Sequence, residues 1–259
     1  MDKTWDLTPE PVLDYEVRLV IYDTKDTLMM DAEGTSDVFI KAYVDDKDKK
    51  ETDTHYRCSS KKASFNYRML FNVKAPRKNY NLSVQTWDRD LFKSNDFIGE
   101  NQLPLQHLFI DAIATQKPIN LNKKYYNTHL KAQLDKIGKG KVITEFYDED
   151  SFYIDTVDKD GNSAGKVRLG LAVYPGAMAT SNPVGGGRSE PNHSPFLPPP
   201  VGRISFSLNP IAMFVSFANL IIYCTDAASR PRTSQKGVPL LLHSHVLHAV
   251  HSTDPISCR

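Results

Sequence analysis

At 259 residues, with 40% hydrophobic and 24% charged residues, the chain has an ordinary globular composition and room for one large domain or two small ones. A formal net charge of +1 excludes a general attraction to nucleic acid, so any electrostatic partner must be met by a local cluster. The three cysteines, Cys58, Cys224 and Cys258, are too few and too scattered for a disulfide framework and point to a reducing compartment.

No basic-then-apolar stretch opens the chain, so no secretory signal is expected. Residues 1–13 lack periodicity and read as a linker. From Tyr15 onward, short alternating segments separated by polar turns predict strands near 15–23, 38–45, 52–57, 65–73, 80–87 and 97–103, with a closing strand at 167–174. Residues 75–79 (A-P-R-K-N) read as a turn, because proline cannot donate to a ladder. Pro104 suits the first turn of a helix. Between 110 and 150 the sequence is rich in lysine and carries no clear period, so a solvated insertion is expected. Its run 136–141 (K-I-G-K-G-K) is the sharper alternative, a basic patch facing a membrane. Residues 158–162 (D-K-D-G-N) fail as a calcium-binding helix–loop–helix: with Gly161 at the sixth loop position, the first and twelfth are Thr156 and Val167, which carry no carboxylate. A hairpin turn is enough.

Past Pro175 the composition shifts to Gly, Pro, Ser and Asn, and residues 177–205 read as an extended Gly/Pro-rich linker. The apolar run 211–224 falls short of the roughly twenty residues that span a membrane. Residues 206–259 are therefore expected as an apolar segment and a disordered tail. The tail's His243, His245, His248 and His251 match no metal-binding spacing.

Two intervals carry chemistry. In 87–100 (W-D-R-D-L-F-K-S-N-D-F-I-G-E), Asp88, Asp90 and Asp96 lie between two alternating segments, with Leu91 and Phe92 inside the same loop. Upstream, Asp31 and Asp37 flank Gly34, with Met29 and Met30 beside them. Clustered carboxylates repel one another unless a hard cation sits among them, and calcium accepts six to eight oxygens in a flexible geometry. A solvated acidic turn explains either loop alone; the recurrence of acid beside apolar side chains in two loops favours a cation site that meets a membrane.

The patterns M-D-x-x-G-x-S-D-V-F-I-K (30–41) and W-D-R-D-x5-D-F-I-G (87–99) together resemble a C2 domain. E-T-D-T-H-Y-R (51–57), S-F-N-Y-R-M-L-F (64–71) and G-G-G-R-S-E-P-N-H-S-P-F-L-P-P-P (185–200) narrow the resemblance to ferlins, where these pieces belong to the last C2 domain before the membrane anchor. The likeness covers residues 14–210. It implies an all-β fold, an antiparallel C2-type eight-stranded β-sandwich at 14–176 with a short helical insertion, followed by an irregular tail. It implies calcium as cofactor, with Asp31, Asp37, Asp88, Asp90 and Asp96 as ligands, and Met29, Met30, Leu91 and Phe92 as membrane contacts. The implied partner is an anionic phospholipid membrane, with other C2 domains or fusion proteins besides. The implied role is calcium-dependent lipid binding at the cytoplasmic face in vesicle fusion, membrane repair or trafficking. Full ferlins carry several C2 domains, so the chain reads as a fragment or short form; the basic aromatic segment and full anchor of the family are not found.

No G-x-S-x-G elbow, H-E-x-x-H pair or phosphate loop is present, and no enzymatic activity is expected. The alternative from a different class is a calcium-independent protein–protein interaction module. The ferlin-like group Asp53, His55, Tyr56 and Arg57 has no function legible in the sequence; Tyr56 is expected inside the sandwich, with Asp53 and Arg57 on a polar strand face.

Overall fold

The computed structural model describes residues 11–31, 33–90, 93–136, 138 and 142–203. Most of the N-terminal linker, Leu91 and Phe92, most of the basic run 136–141, the apolar run 211–224 and the tail histidines lie outside the described residues.

β1 (Leu13–Lys25) is the spine of one layer. Its alternate residues Tyr15, Val17, Leu19 and Ile21 are buried in the core, as the period of two along a strand requires. It pairs antiparallel with β11 (Ser163–Pro175) on one side and β5 (Ser64–Ala75) on the other, and β10 (Phe152–Val157) extends the layer beyond β11. The second layer holds β2 (Ser36–Tyr43), β3 (Lys50–Glu51), β6 (Asn81–Asp88) and β7 (Asp96–Pro104). The strand order β3-β2-β6-β7-β10-β11-β1-β5 is one hydrogen-bonded path, and the ladder joins its two halves where Val157 stands opposite Glu100. The path folds there into an antiparallel sandwich of eight strands. Val38, Ile40, Leu82, Val84, Met69 and Phe71 meet the β1 row from the facing and flanking strands. Three short strands attach to the margins: β4 (His55–Cys58) beside β2, β8 (Ile119–Asn120) beside β11 and β9 (Ile143–Phe146) beside β10. The expected strand 52–57 is thus broken at 52–54.

Helix α1 (Gln106–Thr115) begins just after Pro104 and buries Leu108, Phe109 and Ala112. The segment expected to be a solvated insertion corrects that reading. It coils as α2 (Lys123–Tyr125), a wider π-helical turn (Tyr126–Leu130) and α3 (Lys131–Lys136). The Asn122 side chain caps it by accepting from the Tyr125 N–H at 2.8 Å. Tyr126, Leu130 and Leu134, four residues apart, form one buried stripe, while the lysines take the outer faces.

Residues 177–203, expected as a spacer, also depart from expectation. After α4 (Gly176–Ser181) the chain folds back over the outer face of β1 and β5 and belongs to the same compact unit as the sandwich. Arg68 of β5, 1% exposed, donates to the carbonyls of Gly185 (3.1 Å), His193 (2.9 Å) and Pro195, and its backbone exchanges hydrogen bonds with Gly187. Asn192 closes a loop on Leu197 by donating and accepting one hydrogen bond each, and Leu197 is buried. Proline-rich composition excludes ladder pairing but leaves carbonyls free, and a buried guanidinium is well suited to collecting them.

Strand directions decide which loops meet. β1 and β6 run toward one end of the sandwich and β2, β7 and β11 start there, so the loops 26–35 and 89–95 and the hairpin 158–162 share that end. In the hairpin the Asp158 carboxylate accepts from the Asn162 and Asp160 N–H groups, and Gly161 takes φ +84°, in agreement with the turn reading.

Candidate cation site at the loop end

The five aspartates singled out by spacing all fall at this end. Asp88 closes β6 and Asp96 opens β7, and the two stand opposite each other in the ladder. Asp88 is 2% exposed, and its Oδ1 accepts from the Asp37 N–H at 2.6 Å, which ties the two loops together. Burial pushes the Asp88 carboxyl above its ordinary value, and the neighbouring Asp31 and Asp37 charges add to that; hydrogen bonds from the Asp37 N–H and the Ser36 hydroxyl act against it. Asp37 Oδ1 accepts from the Arg57 N–H of β4 at 2.7 Å. Asp31 turns the first loop, its carbonyl accepting from the Gly34 N–H at 2.9 Å, where Gly34 at φ +74° supplies a backbone shape that other residues rarely take.

Asp90 is held by its backbone, which donates to Asn95 Oδ1 at 3.1 Å, while its Oδ2 is buried with no hydrogen-bond partner among the described residues. Lys93 stands between the last two candidates, 2.8 Å from Asp96 Oδ2 and 3.5 Å from Asp90 Oδ1. Its ammonium is raised above its ordinary value, chiefly by Asp96. Arg89, between Asp88 and Asp90, turns away: it donates to Thr54 Oγ1 at 2.8 Å and Glu51 at 3.0 Å. Among the described residues, Lys93 is thus the one cationic side chain paired with any of the five carboxylates. Lys93 and Asn95 were not singled out by the motif, although both lie inside it.

Of the apolar candidates, Met30 is 43% exposed, whereas Met29 turns inward and packs against the core. Leu28, which the sequence reading passed over, is 39% exposed on the same loop. Residues two apart on an extended loop share a face, and that alternation was the available signal.

Comparison with known proteins agrees with this architecture. The C2 domain family model matches residues 15–127. Myoferlin of Mus musculus is 29% identical over 226 residues, covering 76% of this chain, and Ferlin 1 of Toxoplasma gondii is 28% identical over 189 residues, covering 71%. The chain carries a C2 domain whose curated homologues include ferlins. It spans 11% of the length of these curated relatives. Among solved structures, the first C2 domain of plant extended synaptotagmin 1 matches 62% of this chain and 94% of its own at 15% identity, with a TM-score of 0.40.

Calcium and phospholipid binding are general properties of the C2 family. In this C2 domain the candidate donors at the loop end are all oxygens, which suits a hard cation; Asp90 Oδ2, without a partner among the described residues, and the uphill ionisation of Asp88 are both conditions a cation relieves. Among the described residues no three acidic, histidine or cysteine side chains already stand as a closed metal cage. The carboxylates are gathered but splayed. No described helix is long and apolar enough to cross a membrane.

Proposed function

We propose that this ferlin-like C2 domain is a non-catalytic module that binds anionic phospholipid membranes when calcium occupies the loop end. Asp31, Asp37, Asp88, Asp90 and Asp96 would hold the ion. The observation that carries the reading is the convergence of these carboxylates from two loops, with Asp88 buried and Asp90 Oδ2 unpaired among the described residues. Without calcium the end is acidic and is repelled by an anionic surface. With calcium the local field changes sign without a large conformational change. Leu28 and Met30, exposed on the first loop, would enter the interface, with Leu91 and Phe92 joining them on sequence grounds; Met29, packed against the core, would support the loop from below. Partial burial of such side chains gives a reversible attachment, which suits service in vesicle fusion, membrane repair or trafficking at a cytoplasmic face, beside other C2 domains or fusion proteins.

Co-sedimentation with phosphatidylserine vesicles tests this. The protein should pellet in calcium and stay in solution in chelator, and Asp88→Asn with Asp90→Asn should stay in solution in both. Lys93 favours the competing reading, a calcium-independent interaction module whose loop is neutralised internally. Failure to pellet with or without calcium would support that reading instead.

A further inference from the structure

The ferlin-like residues 53–57 and the segment 183–203 are each other's partners. Asp53 Oδ2 lies 2.6 Å from Arg188 Nη2 and 2.5 Å from Arg203 Nη1. Arg188 also donates to the Phe65 carbonyl at 2.6 Å, and Arg203 Nε donates to the Ser64 carbonyl at 2.9 Å. The Val201 N–H donates to Ser64 Oγ at 3.1 Å. Two residues beyond Asp53, His55 is buried and accepts from the Ser64 N–H through Nδ1 at 3.0 Å. Burial, with the Arg203 guanidinium beside it, keeps the imidazole below its ordinary value and so neutral. Arg57 is exposed as expected, but Tyr56, expected inside, is exposed too, and His55 is the buried residue.

The same short strand reaches the cation site. His55 pairs with Val38 and Cys58 with Ser36, the residues flanking Asp37. Arg57, between them, adopts φ +51°, a left-handed conformation unusual for a side chain of this size, and from it donates its N–H to Asp37 Oδ1. One path of named contacts therefore runs from Arg188 and Arg203 through Asp53 and β4 to a candidate ligand. Ser64 opens β5 opposite Asp23, so residue 203 is held at the end of the sandwich that carries the acidic loops.

We propose that Asp53, clamped by Arg188 and Arg203, is a positioning residue for the calcium site: the docked segment 183–203 fixes β4, and β4 fixes the orientation of Asp37. The proposal rests on the calcium reading above and adds to it a structural element that C2 strands alone do not supply. A merely stabilising clamp would lower the melting temperature without changing calcium affinity. A positioning clamp changes affinity, because an oxygen held by an outer contact coordinates at a set angle. Losing such an outer contact costs about tenfold or more in metal affinity.

The test is calorimetric titration of calcium into the full chain, with thermal unfolding in chelator alongside. Asp53→Asn should bind calcium about tenfold more weakly than the parent, and Asp53→Glu, which keeps the charge, should recover most of that loss. Arg188→Gln and Arg203→Gln each leave Asp53 one arginine and should fall between. Asp45→Asn is the control, because it removes the Asp45–Arg77 pair at the opposite end (2.9 Å at Nη1) and should lower stability without touching affinity. Parent-like calcium affinity in Asp53→Asn, with segment 183–203 newly open to protease, would overturn the positioning role. So would affinity that tracks melting temperature equally in Asp53→Asn and Asp45→Asn. Absence of calcium binding in the parent chain would instead remove the calcium reading itself, and this proposal with it.

Discussion

Asp53 and the aspartates of the acidic loops sit on neighbouring elements and are treated in opposite ways. Asp53 receives two arginines and is satisfied within the fold. Asp88 is buried among like charges; among the described residues, Asp90 keeps one oxygen unpartnered and the one cation paired with these loop aspartates is the largely exposed Lys93. The first arrangement spends its charge on holding a segment in place; the second leaves charge uncompensated and available to something from outside. Density of acid alone does not separate the two cases. The partners do.

Breaking the comparison at its strongest point means removing carboxylates from the loop end. The Asp88→Asn, Asp90→Asn variant should lose calcium-dependent vesicle binding altogether and yet fold, because loss of like charges relieves repulsion in the calcium-free protein. The next largest effect lies on the satisfied side. Arg68→Ala leaves the Gly185, His193 and Pro195 carbonyls without their donor and should cost about 3 kcal/mol in chemical denaturation, with protease sites opening in 183–203. Leu28→Ala with Met30→Ala should weaken vesicle binding about fivefold and leave calcium affinity without lipid unchanged, as expected for side chains that only partly enter the interface. The smallest effect sharpens the contrast from within the site. Lys93→Met removes the internal competitor for Asp90 and Asp96 and should raise calcium affinity roughly threefold, the scale of an exposed ion pair. A drop in calcium affinity would instead make Lys93 part of the loop's scaffold.

The loop end was legible in the sequence because its signals are local. Asp88, Asp90 and Asp96 share one short window, Asp31 and Asp37 another, and alternation on either side fixes both windows as strand-to-strand turns. The clamp was not legible, because Asp53 meets Arg188 and Arg203 across separations of 135 and 150 residues, and nothing in a Gly/Pro-rich segment announces a docking partner. Arg68 reads in sequence as an outward polar residue on a strand; only the segment lying over it makes it buried. The helical stretch 123–136 was hidden differently. Its stripe Tyr126, Leu130, Leu134 has helical spacing, but lysines crowd the intervening positions and the widened turn at Tyr126–Leu130 blurs the period. Tyr56 departs from its expected place inside for a related reason. An aromatic is the better guess for the interior, yet the Ser64 N–H required an acceptor, and the imidazole supplies it.

On the proposed reading, calcium satisfies the loop-end carboxylates that the fold itself does not. Calorimetric titration of calcium into the full chain, with and without phosphatidylserine vesicles, tests it most directly. Binding should tighten when vesicles are present and disappear in the Asp88→Asn, Asp90→Asn variant. Absence of heat in both conditions, or equal heat from the parent chain and that variant, would contradict it.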